Sequence, residues 1–279
     1  MIALANTATG RDAAGALEPV VRPRLVSAIT DALLVARRQL IHMRRIPMEL
    51  VGYTAMPVMF VVLFRYVFAG AITVGGGVSY VNFLMAGIFV QSIAFSGPHT
   101  GITLAHDLQK GLIDRFRSLP MAPSAVLVGQ TLADTFKAAI SVVVMVGVGL
   151  AVGFRPGANL PEWLAAIGIM LLFTYAMSWL GATIALVVGT PESVDQILMT
   201  MLFPLTFASS AFVPVATMPG WLQGFTRHQP VSIVVNAVRA LLLGQPVGNA
   251  GWQATVWCLA ILLVAMPLAL RLYHRTTSR

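Results

Sequence analysis

The sequence predicts an all-α integral membrane protein with six transmembrane helices, an amphipathic interfacial helix before the first, and a re-entrant hairpin on the outer side after the fifth. Three observations carry that prediction. Of the 279 residues, 57% are hydrophobic and only 10% are charged, and the mean hydropathy is +0.82, whereas soluble domains carry roughly a quarter charged residues. That balance excludes an ordinary water-soluble enzyme. The apolar residues gather into six runs, and a bilayer crossing takes roughly 20 residues. Cationic residues concentrate in alternate connections, which sets an orientation.

The elements follow in order. Residues 1–24 hold Arg11, Asp12, Glu18, Arg22 and Arg24 without a sustained apolar core, so they read as a disordered cytosolic tail and not as a cleavable signal peptide. Over 25–47, Leu25, Ile29, Leu33, Leu40 and Ile41 fall on a helical stripe with arginines toward its end. Such a segment is expected to lie flat on the inner leaflet, its cations among anionic headgroups; the alternative is a solvated tail. Spans are expected near 50–68, 82–104, 134–153, 163–188, 197–213 and 252–270, within a transmembrane domain covering 25–272, followed by a cytosolic tail at 273–279. They must be helices, because lipid offers backbone groups no partner outside a helix or a closed barrel, and the barrel's polar alternation is missing. The Gly-rich stretch at 74–78 reads as a short outer loop. After the fifth run, MPGWLQGFTRHQP (218–230) precedes VSIVVNAVRALLLG (231–244), which is too short, and too polar at Asn236 and Arg239, to cross. A re-entrant or interfacial helical hairpin fits it.

Arg37, Arg38, Arg44 and Arg45 precede the first span, Lys110, Arg115 and Arg117 lie between the second and third, and Arg271, Arg275 and Arg279 follow the last. The opposite connections hold only Arg155, Arg227 and Arg239. Both termini are therefore expected in the cytoplasm, and this topological bias accounts for much of the +8 net charge without nucleic acid. The single cysteine, Cys258, permits neither a disulfide framework nor a cysteine metal site. His42, His99, His106 and His274 are scattered without ligand spacing, and no G-x-x-x-x-G-K-[ST] or Rossmann-type glycine cluster offers a phosphate cradle. Any nucleotide energy has to come from another chain.

The inner loop at 106–124 is patterned. Leu108, Leu112, Ile113 and Phe116 recur at helical spacing, Lys110, Asp114, Arg115 and Arg117 make a charged face, Gly111 interrupts, and Pro120 and Pro123 stop it. A short helix lying crosswise at the cytosolic surface is expected, seated either in a partner's groove or on lipid. Among ionisable residues near the membrane, Arg65 can snorkel outward. Asp134 and Lys137 stand i, i+3 near the inner end of span three and are expected to pair as an interface anchor. Glu192 and Asp195 suggest capping of the turn before span five. Trp163, Trp221 and Trp252 fall at outer boundaries as interfacial anchors, and His228 with Gln229 and Pro230 is expected to fix the hairpin.

Two phrases carry a family resemblance: DLQKGLIDRFRSLPMAPSAVLVGQTLAD (107–134), and FASSAFVPVATMPGWLQGFTRHQPVSIVVNAVRALLLGQP (207–246). Together they resemble the membrane subunit of ABC-2 type (type V) exporters, nearest the daunorubicin-resistance (DrrB-like) permeases, over roughly residues 30–272. The resemblance implies a dimer of six-span permeases, with an identical or a paralogous second permease, bound to two ATP-binding-cassette subunits. It implies export of drugs, lipids or glycoconjugates across a bacterial cell membrane. ATP and Mg would then sit in the partner ATPase, with no cofactor, metal or catalytic residue in this chain. The inner loop would be the coupling helix, its role passing to Gly111, Asp114, Arg115, Phe116 and Pro120; where the family often has an acidic residue before the glycine, this sequence has Lys110. The hairpin would hold Pro214, Pro219, Trp221, His228 and Pro230. The substrate path would lie between the permeases along spans one, two and five, where Met85, Ala86, Gly87, Ser92, Ser96, Met199, Met201, Ser209 and Ser210 supply small or adaptable side chains. An ion-coupled secondary transporter is the competing reading, and would call for midplane ionisable residues and an inverted repeat. A lipid-linked transferase would need clustered acidic or histidine groups at one interface, which the dispersed acidic residues do not provide.

Overall fold

The computed structural model describes residues 47–68, 79–110 and 123–277, and every regular element among them is helical. The expected interfacial helix before residue 47, the 74–78 loop and the patterned stretch 111–122 lie outside the described residues. Helix α1 (Pro47–Leu63) runs into a π-helical turn, Phe64–Phe68. Helix α2 (Tyr80–Ala94) is capped by Ser79, whose Oγ accepts from the Asn82 N–H at 3.3 Å.

Where the sequence suggests one run over 82–104, the structure breaks at Phe95 and restarts as α3 (Ser96–Gln109). Pro98 gives the reason. Inside a continuous helix it would remove one hydrogen bond and clash with the carbonyl of Ala94, but in a first turn its missing N–H costs nothing.

Helix α4 (Pro123–Val152) starts well before the expected span, ends at Gly153 with φ of 105°, and so leaves Asp134 deep in its length. Helix α5 (Leu160–Val188) opens with a capping box in which Asn159 and Glu162 satisfy each other's backbone N–H groups. It stops at Gly189, whose φ of 80° is the left-handed conformation glycine tolerates. Helix α6 (Pro191–Phe207) has Pro191 in its first turn and no side-chain cap from Thr190, and Glu192 stands in that turn, where a negative charge suits the helix dipole. A 3₁₀ turn (Val215–Thr217) leads to the short α7 (Gly220–His228) and to α8 (Pro230–Leu242), joined at Gln229. Helix α9 (Ala250–Thr277) continues into the expected tail.

Among the described residues four stretches are long and apolar enough to cross a bilayer: Tyr80–Gln109, counted across its break, Leu127–Val152, Leu160–Val188 and Ala250–Arg275. Helices α1 and α6, each of 17 residues, reach the lower bound of roughly 17 for a crossing.

Helix α5 lies at the centre, packed chiefly against α3 and α9. The α3–α5 contact is made by glycines. A Cβ on Gly97 would stand 2.7 Å from the Met177 carbonyl oxygen, one on Gly101 would stand 2.8 Å from that of Gly181, and one on Gly181 would collide with the Gly97 carbonyl. Only hydrogen fits, so the two backbones touch and gain dispersion contact where lipid gives no hydrophobic push. The G-x-x-x-G spacing of Gly97 and Gly101 is plain in the sequence. A core around Phe89, Phe154, Phe173 and Val234 joins α2, α4, α5 and α8, while a second cluster around Leu104, Leu127, Trp179, Leu198 and Tyr273 ties α3, α4, α5, α6 and α9 together.

Candidate functional site

On the other side of α3 the packing opens into a cleft of about 530 Å³. Helix α1 contributes Met56, Pro57 and Phe60, and α6 contributes Met199, Phe203 and Phe207. The facing wall carries Gln91, Ser92 and Phe95 at the end of α2, then Pro98, His99 and Ile102 of α3. Among the described residues no Asp, Glu, Lys or Arg lines it. Prolines interrupt both outer walls, Pro57 in α1 and Pro204 in α6, each removing one helix hydrogen bond.

Phenylalanines close one edge of this cleft. Phe64, at the start of the π turn, stacks on Phe212 with centroids 4.6 Å apart; Phe212 stacks on Phe207 at 5.2 Å and Phe207 on Phe203 at 4.4 Å. Phe60 approaches Phe64, Phe207 and Phe212, each at 6.1 Å. Such ring pairs add roughly 0.5–1.5 kcal/mol each beyond burial, and they tie α1 to the chain leaving α6.

The segment after α6 is held by α8. Arg239, 9% exposed, sends Nε to the Phe83 carbonyl at 3.1 Å, Nη2 to the carbonyls of Ser210 at 2.6 Å and Ala211 at 3.4 Å, and Nη1 to the Asn236 Oδ1 at 3.2 Å. Its guanidinium also lies 3.6 Å from the centroid of the Phe83 ring. Among the described residues no carboxylate pairs with it. Ser210 completes the arrangement, its backbone N–H donating to the Ser232 Oγ at 3.1 Å and its hydroxyl to the Asn236 Oδ1 at 2.8 Å. Gln229, between α7 and α8, donates from Nε2 to the carbonyls of Leu205 at 2.8 Å and Ala208 at 3.2 Å. A Cβ on Gly87 would strike the Ala211 carbonyl, so α2 can meet this segment only through a glycine.

A second buried polar centre lies between α3 and α4. Lys137 Nζ stands 3.4 Å from Asp134 Oδ1, while Asp134 Oδ2 accepts from the Thr100 hydroxyl at 2.7 Å and from Gln130 Nε2 at 3.3 Å. Sequence spacing suggests the pair; the structure places it inside the bundle, with Asp134 1% and Lys137 3% exposed. The partner from α3, Thr100, has no local sequence signal.

Residues 30–243 match the sequence pattern of the ABC-2 type transporter family. The chain belongs to that family. It is 33% identical over 261 residues to the daunorubicin resistance ABC transporter permease protein DrrB1 of Streptomyces coeruleorubidus, covering 92% of this chain and 90% of that one. It is 29% identical over 258 residues to the probable doxorubicin resistance ABC transporter permease protein DrrC of Mycobacterium tuberculosis, covering 90% of each. A putative transport permease, ycf38, of the alga Porphyra purpurea is 23% identical over 249 residues, 86% of this chain and 83% of that one. As an ABC-2 permease the protein is a multi-pass membrane subunit of an ABC transporter.

Within this ABC-2 permease, the residues suggested for the substrate path separate. Ser92 and Met199 line the cleft. Met201, 37% exposed, stands on the outside of α6. Met85 is buried in the core against Gly149, and Ser96 is buried with its hydroxyl 3.4 Å from the Thr174 carbonyl. Ser209 and Ser210 belong to the Arg239-bound segment. In the hairpin, Pro214 and Pro219 precede the 3₁₀ turn and α7, Pro230 opens α8, and His228 Nδ1 lies 2.8 Å from the Gly224 carbonyl. Trp221 is 81% exposed, as an interfacial anchor would be. Gly111, Asp114, Arg115, Phe116 and Pro120 lie outside the described residues. Gln91 was not legible as a site residue, since one amide in an apolar run gives no period.

Proposed function

We propose that this permease carries hydrophobic drugs or lipids outward across a bacterial cell membrane, pairing with a second permease copy or paralogue and drawing on ATP and Mg bound by a separate ATP-binding-cassette subunit. The observation that carries the reading is the apolar cleft between α1, α6 and the α2–α3 wall, about 530 Å³ in volume, within the roughly 300–1,000 Å³ usual for small-molecule sites. The names of two relatives, daunorubicin and doxorubicin resistance permeases, support cargo with a large apolar ring body. In this reading six helices cross the membrane, both termini lie in the cytoplasm, and α7–α8 form a re-entrant hairpin on the outer side. The stretch around Gly111, Asp114, Arg115, Phe116 and Pro120 takes up the ATPase's movement. Cargo biases the equilibrium between inward and outward arrangements only by binding one better than the other.

An ion-coupled carrier would need an ionisable pair open to the path. Asp134 and Lys137 are engaged with each other and do not line the cleft.

The test is reconstitution of the permease with an ATP-binding-cassette ATPase subunit, following movement of a labelled anthracycline and a labelled phospholipid. ATP-dependent movement of either is expected, with Asp114→Arg lowering it at least about ten-fold while membrane insertion is unchanged. Movement driven by a proton gradient without any ATPase would overturn the proposal, and full transport by Asp114→Arg would remove the coupling assignment.

A further inference from the structure

Three polar side chains face the cleft, and the protein satisfies them unequally. Ser92 donates its hydroxyl to the Phe89 carbonyl at 2.8 Å, and His99 has an interaction of its own. Gln91, 4% exposed and lining the cleft, makes no side-chain hydrogen bond to any described residue. Its amide atoms are not sealed inside the bundle but are reached from the cleft, among apolar side chains, so an entering group can bond them. A group that enters the cleft and bonds Gln91 therefore gains what the empty site lacks.

The chemistry of that group can be read from what surrounds it. A primary amide both donates and accepts, and it carries no charge. Among the described residues no carboxylate lines the cleft to balance a cation, and no lysine or arginine to balance an anion. A charged group finds no counter-charge among these residues, so in an amphipathic cargo it stays outside the cleft, in water. A hydroxyl, ketone, ester or amide loses less on leaving water and recovers it at Gln91. Phe60, Phe95, Phe203 and Phe207 supply apolar surface for the remainder of the molecule.

We propose that Gln91 is a specificity-determining residue of the cleft, selecting apolar molecules that bear an uncharged hydrogen-bonding group. This rests on the cleft being the cargo site, and the experiment separates the two claims. The purified full-length permease in detergent is titrated with three fluorescent probes sharing one pyrene body, 1-butylpyrene, pyrenebutanol and pyrenebutylammonium, each corrected for partition into protein-free micelles. Pyrenebutanol binds about ten-fold tighter than the other two, the factor expected of one well-placed hydrogen bond. Gln91→Leu abolishes that preference while keeping the affinity for butylpyrene, which also reports that the cleft is intact. Gln91→Glu transfers the preference to the ammonium probe. Binding of all three with equal affinity by the unaltered protein, or a preference for the alcohol that survives Gln91→Leu, would overturn the assignment of Gln91. Absence of binding by every probe would refute the cleft as a binding site, and this assignment with it.

Discussion

Two buried charged centres stabilise different parts of the bundle, and they are built on opposite plans. Asp134 and Lys137 neutralise each other within one turn of α4, and α3 adds a single hydroxyl from Thr100. Arg239 has no counter-charge among the described residues; carbonyl oxygens of Phe83, Ser210 and Ala211 take the place of one. The first centre is self-contained, so two coordinated substitutions can replace it. The second is distributed over α2, the segment after α6, and α8, and most of its acceptors are backbone that no substitution can remove. The pair therefore decorates a helix contact, whereas Arg239 determines whether three pieces of chain meet at all.

The comparison can be broken at several points. The largest effect is expected for Arg239→Met, which strips the Ser210, Ala211 and Phe83 carbonyls of their shared donor at once. A loss of about 3–5 kcal/mol follows from buried carbonyls losing a charged donor, at roughly 1.5–3 kcal/mol for each well-formed bond of that kind. It is read as a fall in the thermal midpoint in detergent, with new protease sensitivity across 208–230; a midpoint within a degree of the unaltered protein would sink the idea. Lys137→Met comes next, at about 3 kcal/mol, because Asp134 is left buried and unbalanced. Adding Asp134→Leu should restore most of that loss, since a buried ion pair replaced by apolar side chains of similar size is often close to neutral. If the double variant is worse than the single one, the pair is not the interchangeable unit described. The smallest change is Thr100→Val, about 1.5 kcal/mol, the low end for one hydrogen bond to a charged group, because Asp134 keeps its other partners. A larger loss would mean that α3 depends on Asp134 far more than one hydroxyl suggests.

What the sequence revealed of these centres depends on distance along the chain. The Asp134–Lys137 pairing is visible because i, i+3 residues share a helix face. Thr100 is not, because the contact spans two helices. Asn236 and Arg239 stand out as polar residues in an apolar stretch, and they suggest a helix that does not cross. Their acceptors are carbonyls, which carry no residue-type signal. The break at Phe95 is legible in retrospect from Pro98, but hydropathy alone runs across it. The helical class followed from composition and the family from two phrases, whereas the cleft arises from how four segments meet, which no single period encodes.

The glycine contact between α3 and α5 has a mechanical corollary. Shifting α3 by one residue along α5 would carry Pro98 and Ile102, or Ser96 and Thr100, into spaces that only hydrogen fills, so the register of these two helices is locked like a keel to its frame. Any widening of the cleft then falls to its outer planks, α1 and α6, each with a proline inside it, Pro57 in the second half of α1 and Pro204 in the last turn of α6. On the proposed reading of the cleft as the cargo site, a bulky passenger would enter sideways, past α1 and α6, with the keel standing still.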